Sequence, residues 1–88
     1  MTKEAIVWTL PVCNMCERTK SWLKGQGVSY TEMDLTEPES VDDLAYFKSL
    51  GLRAAPIVEV VVENSEGFLD HVERWSGFNK AKLEEHFA

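Results

Sequence analysis

Eighty-eight residues give one small domain, 1–88, with room for one core and no second domain. The hydrophobic share of 44% and the charged share of 27% are those of a soluble globule. No apolar run approaches the ~20 residues of a membrane span, and Met1–Glu4 carries no basic start with an apolar leader behind it, so the expectation is a cytoplasmic protein with no membrane contact. A net charge of −6 argues against nucleic acid, whose phosphates would be repelled, and leaves room for a protein partner.

Residues 4 to 9, closing on Ala5-Ile6-Val7-Trp8-Thr9, read as a buried strand. Leu10-Pro11-Val12 is a loop, because Pro11 cannot extend the strand's hydrogen-bond ladder. A helix is predicted from about Asn14 to Gln26, with Cys16, Thr19, Lys20 and Leu23 on one face and Trp22 packing beside them; Gly25 and Gly27 stop it. Val28 to Met33 alternates as a short strand. Thr36 and Glu39 have capping-box spacing, with Pro38 tolerated in the first turn, so a second helix is predicted from there to about Leu50. Its stripe is Val41, Leu44, Ala45 and Lys48, with Phe47 beside it, and Gly51 ends it.

Ile57 to Glu63 is close to continuously apolar, as a central strand covered on both faces should be. Asn64-Ser65-Glu66-Gly67 is turn chemistry, and Phe68 to Trp75 returns antiparallel. Ser76-Gly77 breaks that strand. Asn79 caps a last helix, with Phe78 and Leu83 placed as a hydrophobic staple. The order βαβαββα implies an α/β fold, a four-stranded mixed sheet flanked by three helices, which is the layout of a thioredoxin-like domain.

The two cysteines, Cys13 and Cys16, sit together at the predicted strand-to-helix junction. A disulfide between them closes almost no loop and would be a poor staple. Beside a βαβ pattern in a cytosolic chain, the spacing reads as a redox motif. Cys13 lies at the helix N-terminus, where unpaired N–H groups and the dipole favour a thiolate, so its pKa is expected below that of free cysteine. Cys16, one turn further in, keeps its proton longer. Cys13 is therefore the attacking catalytic residue and Cys16 the resolving one. The blander reading is two small residues at a helix start; the strand before, the helix after and the absence of other cysteines count against it.

Lys20, one turn beyond Cys16, is read as solvated. Zinc needs four ligands in compact spacing, and His71 and His86 stand too far apart to supply half a site. Each is read as a surface residue and no metal is expected. A non-enzymatic metal-binding module, with a site shared between two chains, is the alternative of another class. Trp75 reads as packing that also shapes the surface beside Cys13. Five acidic residues in the hairpin, Glu59, Glu63, Glu66, Asp70 and Glu73, read as a solvated face.

Three stretches taken in order resemble the glutaredoxin-like NrdH redoxins: Trp8-Thr9 with Cys13-x-x-Cys16-x-x-Thr19-Lys20, Leu50 to Val58 around Ala55-Pro56, and Trp75-Ser76-Gly77-Phe78. The resemblance covers about Ile6 to Phe78. It implies a cis bond at Ala55–Pro56, with the Ala55 backbone pairing with an incoming peptide strand, and Trp75 to Phe78 shaping partner binding. It also implies a monomeric thiol–disulfide oxidoreductase with no bound cofactor. The protein would be re-reduced by thioredoxin reductase and would donate electrons to the large subunit of class Ib ribonucleotide reductase. The runner-up is a glutathione-dependent dithiol glutaredoxin. Those proteins tend to carry a cation before the motif and Gly-Gly before the last helix, where this chain has Thr9-Leu10 and Ser76-Gly77; without the cation the glutathione carboxylates lose a partner. The chain departs from the family at Asn14-Met15, commonly Val-Gln, and at Asn79-Lys80-Ala81, often Arg-Pro-Asp.

Overall fold

In the computed structural model, which describes residues 3–88, β1 (Lys3–Thr9) leads through a short loop into α1 (Asn14–Gly25). Then come β2 (Tyr30–Asp34), a single 3-10 turn (Pro38–Ser40), α2 (Val41–Ser49), the hairpin of β3 (Ile57–Glu63) and β4 (Leu69–Ser76), and α3 (Lys80–Phe87). The sheet order is β2-β1-β3-β4. β1 runs parallel to β2 and antiparallel to β3, and β3 pairs antiparallel with β4. This is the mixed, three-helix thioredoxin-like layout expected from the element order. Among the described residues no helix is long and apolar enough to cross a membrane.

The period-2 alternation of the strands divides the core into two layers. Ala5, Val7, Val58, Val60 and Trp75 face one side, where Leu23 of α1 and Leu83 of α3 close over them. Trp8 and Ile57 face the other, against Phe47 of α2 and Leu35 just after β2, with Leu44 and Leu52 alongside. The stripe on α1 falls as its spacing predicts, with Cys16, Thr19 and Leu23 buried. Asn79 caps α3, its side-chain oxygen accepting from Lys82 N at 3.1 Å. Leu83 belongs to the first layer, and Phe78 packs against that layer.

Two local expectations fail. Thr36 does not cap α2. Asp34 lies two residues before it, and its Oδ1 accepts from both the Thr36 amide (2.8 Å) and the Thr36 hydroxyl (2.6 Å), while Ser40 Oγ donates to Asp34 O. That local turn takes up the threonine, so the capping box with Glu39 does not form and α2 starts only at Val41. Val41 is consequently outside the buried stripe, 64% exposed. β4 ends at Ser76, paired with Ile57, where the Ser76-Gly77 break is expected. The acidic hairpin is not solvated throughout, because Glu59 is 3% exposed.

Candidate functional site

β1 delivers the chain at Thr9 to an exposed loop, and α1 begins at once after Cys13. Cys13 is the N-cap, extended at φ −153°, ψ 101°. Its carbonyl accepts the first helical bond, from Glu17 N at 3.2 Å, and its sulfur accepts from the Cys16 amide at 3.1 Å. The sulfur thus takes the place of the hydroxyl or carboxylate oxygen common at N-caps, at the positive end of the helix. Cys16 is 1% exposed and Cys13 half-buried. The two are joined in a disulfide, Cα–Cα 5.2 Å. Behind them Thr19 is fully buried, its hydroxyl donating to Met15 O at 2.9 Å.

Lys20 is not the free lysine expected. Its ammonium lies 2.9 Å from Glu17 and 3.1 Å from Glu32, and Glu32 also accepts from the Thr9 hydroxyl at 3.0 Å. The bond to Glu17 is the main reason its pKa is raised, with Glu32 adding to it and desolvation opposing. The group is firmly cationic and committed to two carboxylates.

The strand register brings the other sequence-derived positions to the same end of the sheet. Trp8 pairs with Ile57, and Ile57 with Ser76, so Ala55-Pro56 lies beside the end of β1 and Ser76-Gly77 lies on the far side of β3 at the same end of the sheet. The Ala55–Pro56 bond is cis. Gly77 N donates to Pro56 O at 2.7 Å, and Gly77 adopts φ +84°, a left-handed backbone that favours glycine. Trp75 and Phe78 turn into the layer beneath α1 and α3. Trp75 stacks on His86 with ring centroids 6.0 Å apart and 12° between the planes.

His86 is therefore no surface histidine. It is largely covered, and its Nε2 lies 2.7 Å from Glu73, which also pairs with Lys82. Chiefly because of Lys82, and then His86, the Glu73 acid is held below its ordinary value, against a smaller opposing effect of burial. His71 stays exposed. Among the described residues the only three potential metal ligands that converge are Glu73, Glu85 and His86, which include neither sulfur. Lys82 already neutralises Glu73 there.

The sequence reading also missed Glu59. Trp8 Nε1 donates to its Oε1 at 2.6 Å, and Arg74 Nε and Nη2 donate to its Oε2 at 2.8 and 2.6 Å. A lone glutamate within Ile57-Val58-Glu59-Val60-Val61-Val62 was the available signal.

Residues 5–60 match the family model for glutaredoxin. The chain belongs to the glutaredoxin family. A stretch of 55 residues is 33% identical to the N-acetyl-S-hydroxy-L-cysteine reductase of Bacillus subtilis (strain 168); it takes in 62% of this chain and 58% of the length of that relative. Among solved structures, the fold is similar to the glutaredoxin-like protein NrdH-redoxin of Escherichia coli, with TM-score 0.68 and 17% identity over 93% of this chain and 92% of that one. It is also similar to a glutaredoxin of Archaeoglobus fulgidus, with TM-score 0.66 and 24% identity over 94% and 84%.

Proposed function

We propose that this glutaredoxin-family protein is a thiol–disulfide oxidoreductase that carries electrons between a reductase and client proteins. The observation that carries the reading is Cys13 as N-cap, its sulfur bonded by the Cys16 amide and disulfide-linked to a buried Cys16. In the reduced protein the same amide and helix terminus favour the Cys13 thiolate. That thiolate attacks one sulfur of a client disulfide, forming a mixed disulfide and releasing the client's other sulfur as thiolate. Cys16 loses its proton and attacks Cys13 Sγ, closing the Cys13–Cys16 disulfide and releasing the second client thiolate. Two electrons pass to the client, its thiolates take up protons, and the two sulfurs are the only electron store the cycle requires.

We further assign the NrdH type: re-reduction by thioredoxin reductase in the cytoplasm, and the large subunit of class Ib ribonucleotide reductase as client. Support comes from Leu10 and Ser76 standing where glutathione users tend to carry a cation and a glycine. Ala55, just before Pro56 at the sulfur end of the sheet, supplies the backbone for an incoming client strand, and Trp75 to Phe78 hold the surface beside it.

The test is turnover of a protein disulfide with NADPH and thioredoxin reductase, set against glutathione and its reductase. Thioredoxin reductase should sustain the faster cycle. Cys13→Ser should be inert, and Cys16→Ser should accumulate mixed disulfides from which the client is identified. Faster turnover with glutathione overturns the assignment to the NrdH type, and full turnover by Cys13→Ser overturns the mechanism.

A further inference from the structure

An apolar cleft of about 210 Å³ opens between α2 and the loop before Pro56. Leu44 and Leu52 form its wall, Leu10 reaches it from the loop that carries Cys13, and Ala55 borders it. It is smaller than the ~300–1,000 Å³ typical of a small-molecule site, so it suits a side chain of a docked segment better than a cofactor. Two cations, Lys48 and Arg53, also line it, and no Asp or Glu does. Both are exposed, and neither forms an ion pair among the described residues.

That is a local reversal of charge in a protein of net charge −6. A second cleft, of about 330 Å³, is lined by Glu32, Asp34, Glu37 and Glu39 and carries the opposite sign. The cationic cleft is continuous with the proposed site through Leu10 and Ala55. Leu10, Val12 and Met15 extend the exposed apolar surface around the sulfurs.

We propose that this cleft docks the client segment next to the reacting disulfide, and that it selects a segment in which an apolar side chain is flanked by Asp or Glu. The apolar group lies against Leu44 and Leu52, and the carboxylates face Lys48 and Arg53. The acidic cleft repels the same segment, which limits the direction in which it can lie. The inference rests on the disulfide-exchange mechanism above and names the class of segment it acts on.

The test uses two cystine peptides, identical except that one carries Glu and Asp beside its apolar residue and the other Gln and Asn. Each oxidises the reduced protein, and the second-order rate is read by stopped flow. The acidic peptide should react about three- to tenfold faster at low salt, the range of one or two exposed ion pairs. The advantage should fade towards 1 M salt, where the screening length shrinks to about 3 Å. The K48Q/R53Q protein should lose the preference and K48E/R53E should reverse it. Equal wild-type rates for the two peptides overturn the proposal, as does an unaltered rate ratio in both variants. A wild-type preference for glutathione disulfide that vanishes in K48Q/R53Q, with the peptide ratio untouched, also overturns it. A small uncharged disulfide, run on the wild type, separates the two levels. If it is reduced and no charge preference exists, only the docking proposal fails; if it is not reduced, the exchange mechanism fails and the docking proposal with it.

Discussion

Replacing Glu59 should destabilise the fold more than any other single acidic substitution in the hairpin. The residue is 3% exposed on β3, one of the two inner strands, and its carboxylate accepts three hydrogen bonds, one from Trp8 on β1 and two from Arg74 on β4. Glu59→Ala would leave the Trp8 indole N–H buried without an acceptor, at about 1–3 kcal/mol, and remove two charge-assisted bonds worth roughly 1.5–3 kcal/mol each before compensation. Arg74 is 23% exposed along its side chain and can recover part of that from water. The net expectation is about 3–5 kcal/mol, the range for breaking a buried pair from one side. Glu59→Gln keeps an oxygen for Trp8 but offers Arg74 no charge, so about 1.5–3 kcal/mol is expected. At roughly 4–8 °C per kcal/mol for a domain of this size, the Tm of Glu59→Ala should fall by at least about 12 °C. Thermal and urea unfolding read through tryptophan fluorescence would measure both. The double variant Glu59→Leu/Arg74→Met removes both charges together and should recover part of the loss. Glu59→Gln melting at the wild-type temperature would refute the reasoning, as would a double variant no more stable than Glu59→Ala.

Two further outcomes follow from α3. Asn79→Ala removes the oxygen that accepts from Lys82 N and should cost about 1 kcal/mol, whereas Asn79→Gly should cost only a few tenths; equal losses in urea midpoint would place the effect elsewhere. Glu73 is held acidic chiefly by Lys82 and then by His86, so its folded pKa lies below its unfolded one. Its contribution is therefore present above the ordinary value of 4.5 and lost as pH falls through the lower folded value. The stability gap between wild type and Glu73→Gln should be open at neutral pH and close in acid, and a gap constant from neutral pH to about pH 3 would contradict it.

What was legible in the chain was what neighbouring residues decide among themselves. The face Cys16, Thr19 and Leu23 follows from helical spacing alone, and the two-sided burial of β3 follows from an apolar run bounded by Pro56 and turn residues. The failures lie where a competing partner stood just outside the motif considered. Thr36 and Glu39 had the spacing of a cap, but Asp34 was closer to Thr36 than the helix it was to cap. Glu59 looked solvated because its donors are 51 and 15 residues away and only the sheet register brings them to one face. His86 is different: Leu83, His86 and Phe87 have the i, i+3, i+4 spacing of a buried face, so its burial is a local property of α3.

The same separation runs through the site. The Cys13–Cys16 geometry is local, whereas its support is assembled from four strands. Trp8 and Thr9 are consecutive and point to opposite faces of β1. Trp8 is bound to Glu59, which Arg74 holds from β4, and Thr9 is bound to Glu32, which Lys20 holds from α1. The last two residues before the loop are thus tied on both faces by charged groups. Beyond them Leu10, Pro11 and Val12 are exposed, Val12 at 95%. A loop that must admit a client sulfur needs an accessible surface, yet the attacking sulfur must keep its place relative to Cys16 and the Pro56 loop. Anchoring the strand end on both faces leaves the loop open while fixing where it starts, and α1 fixes where it ends.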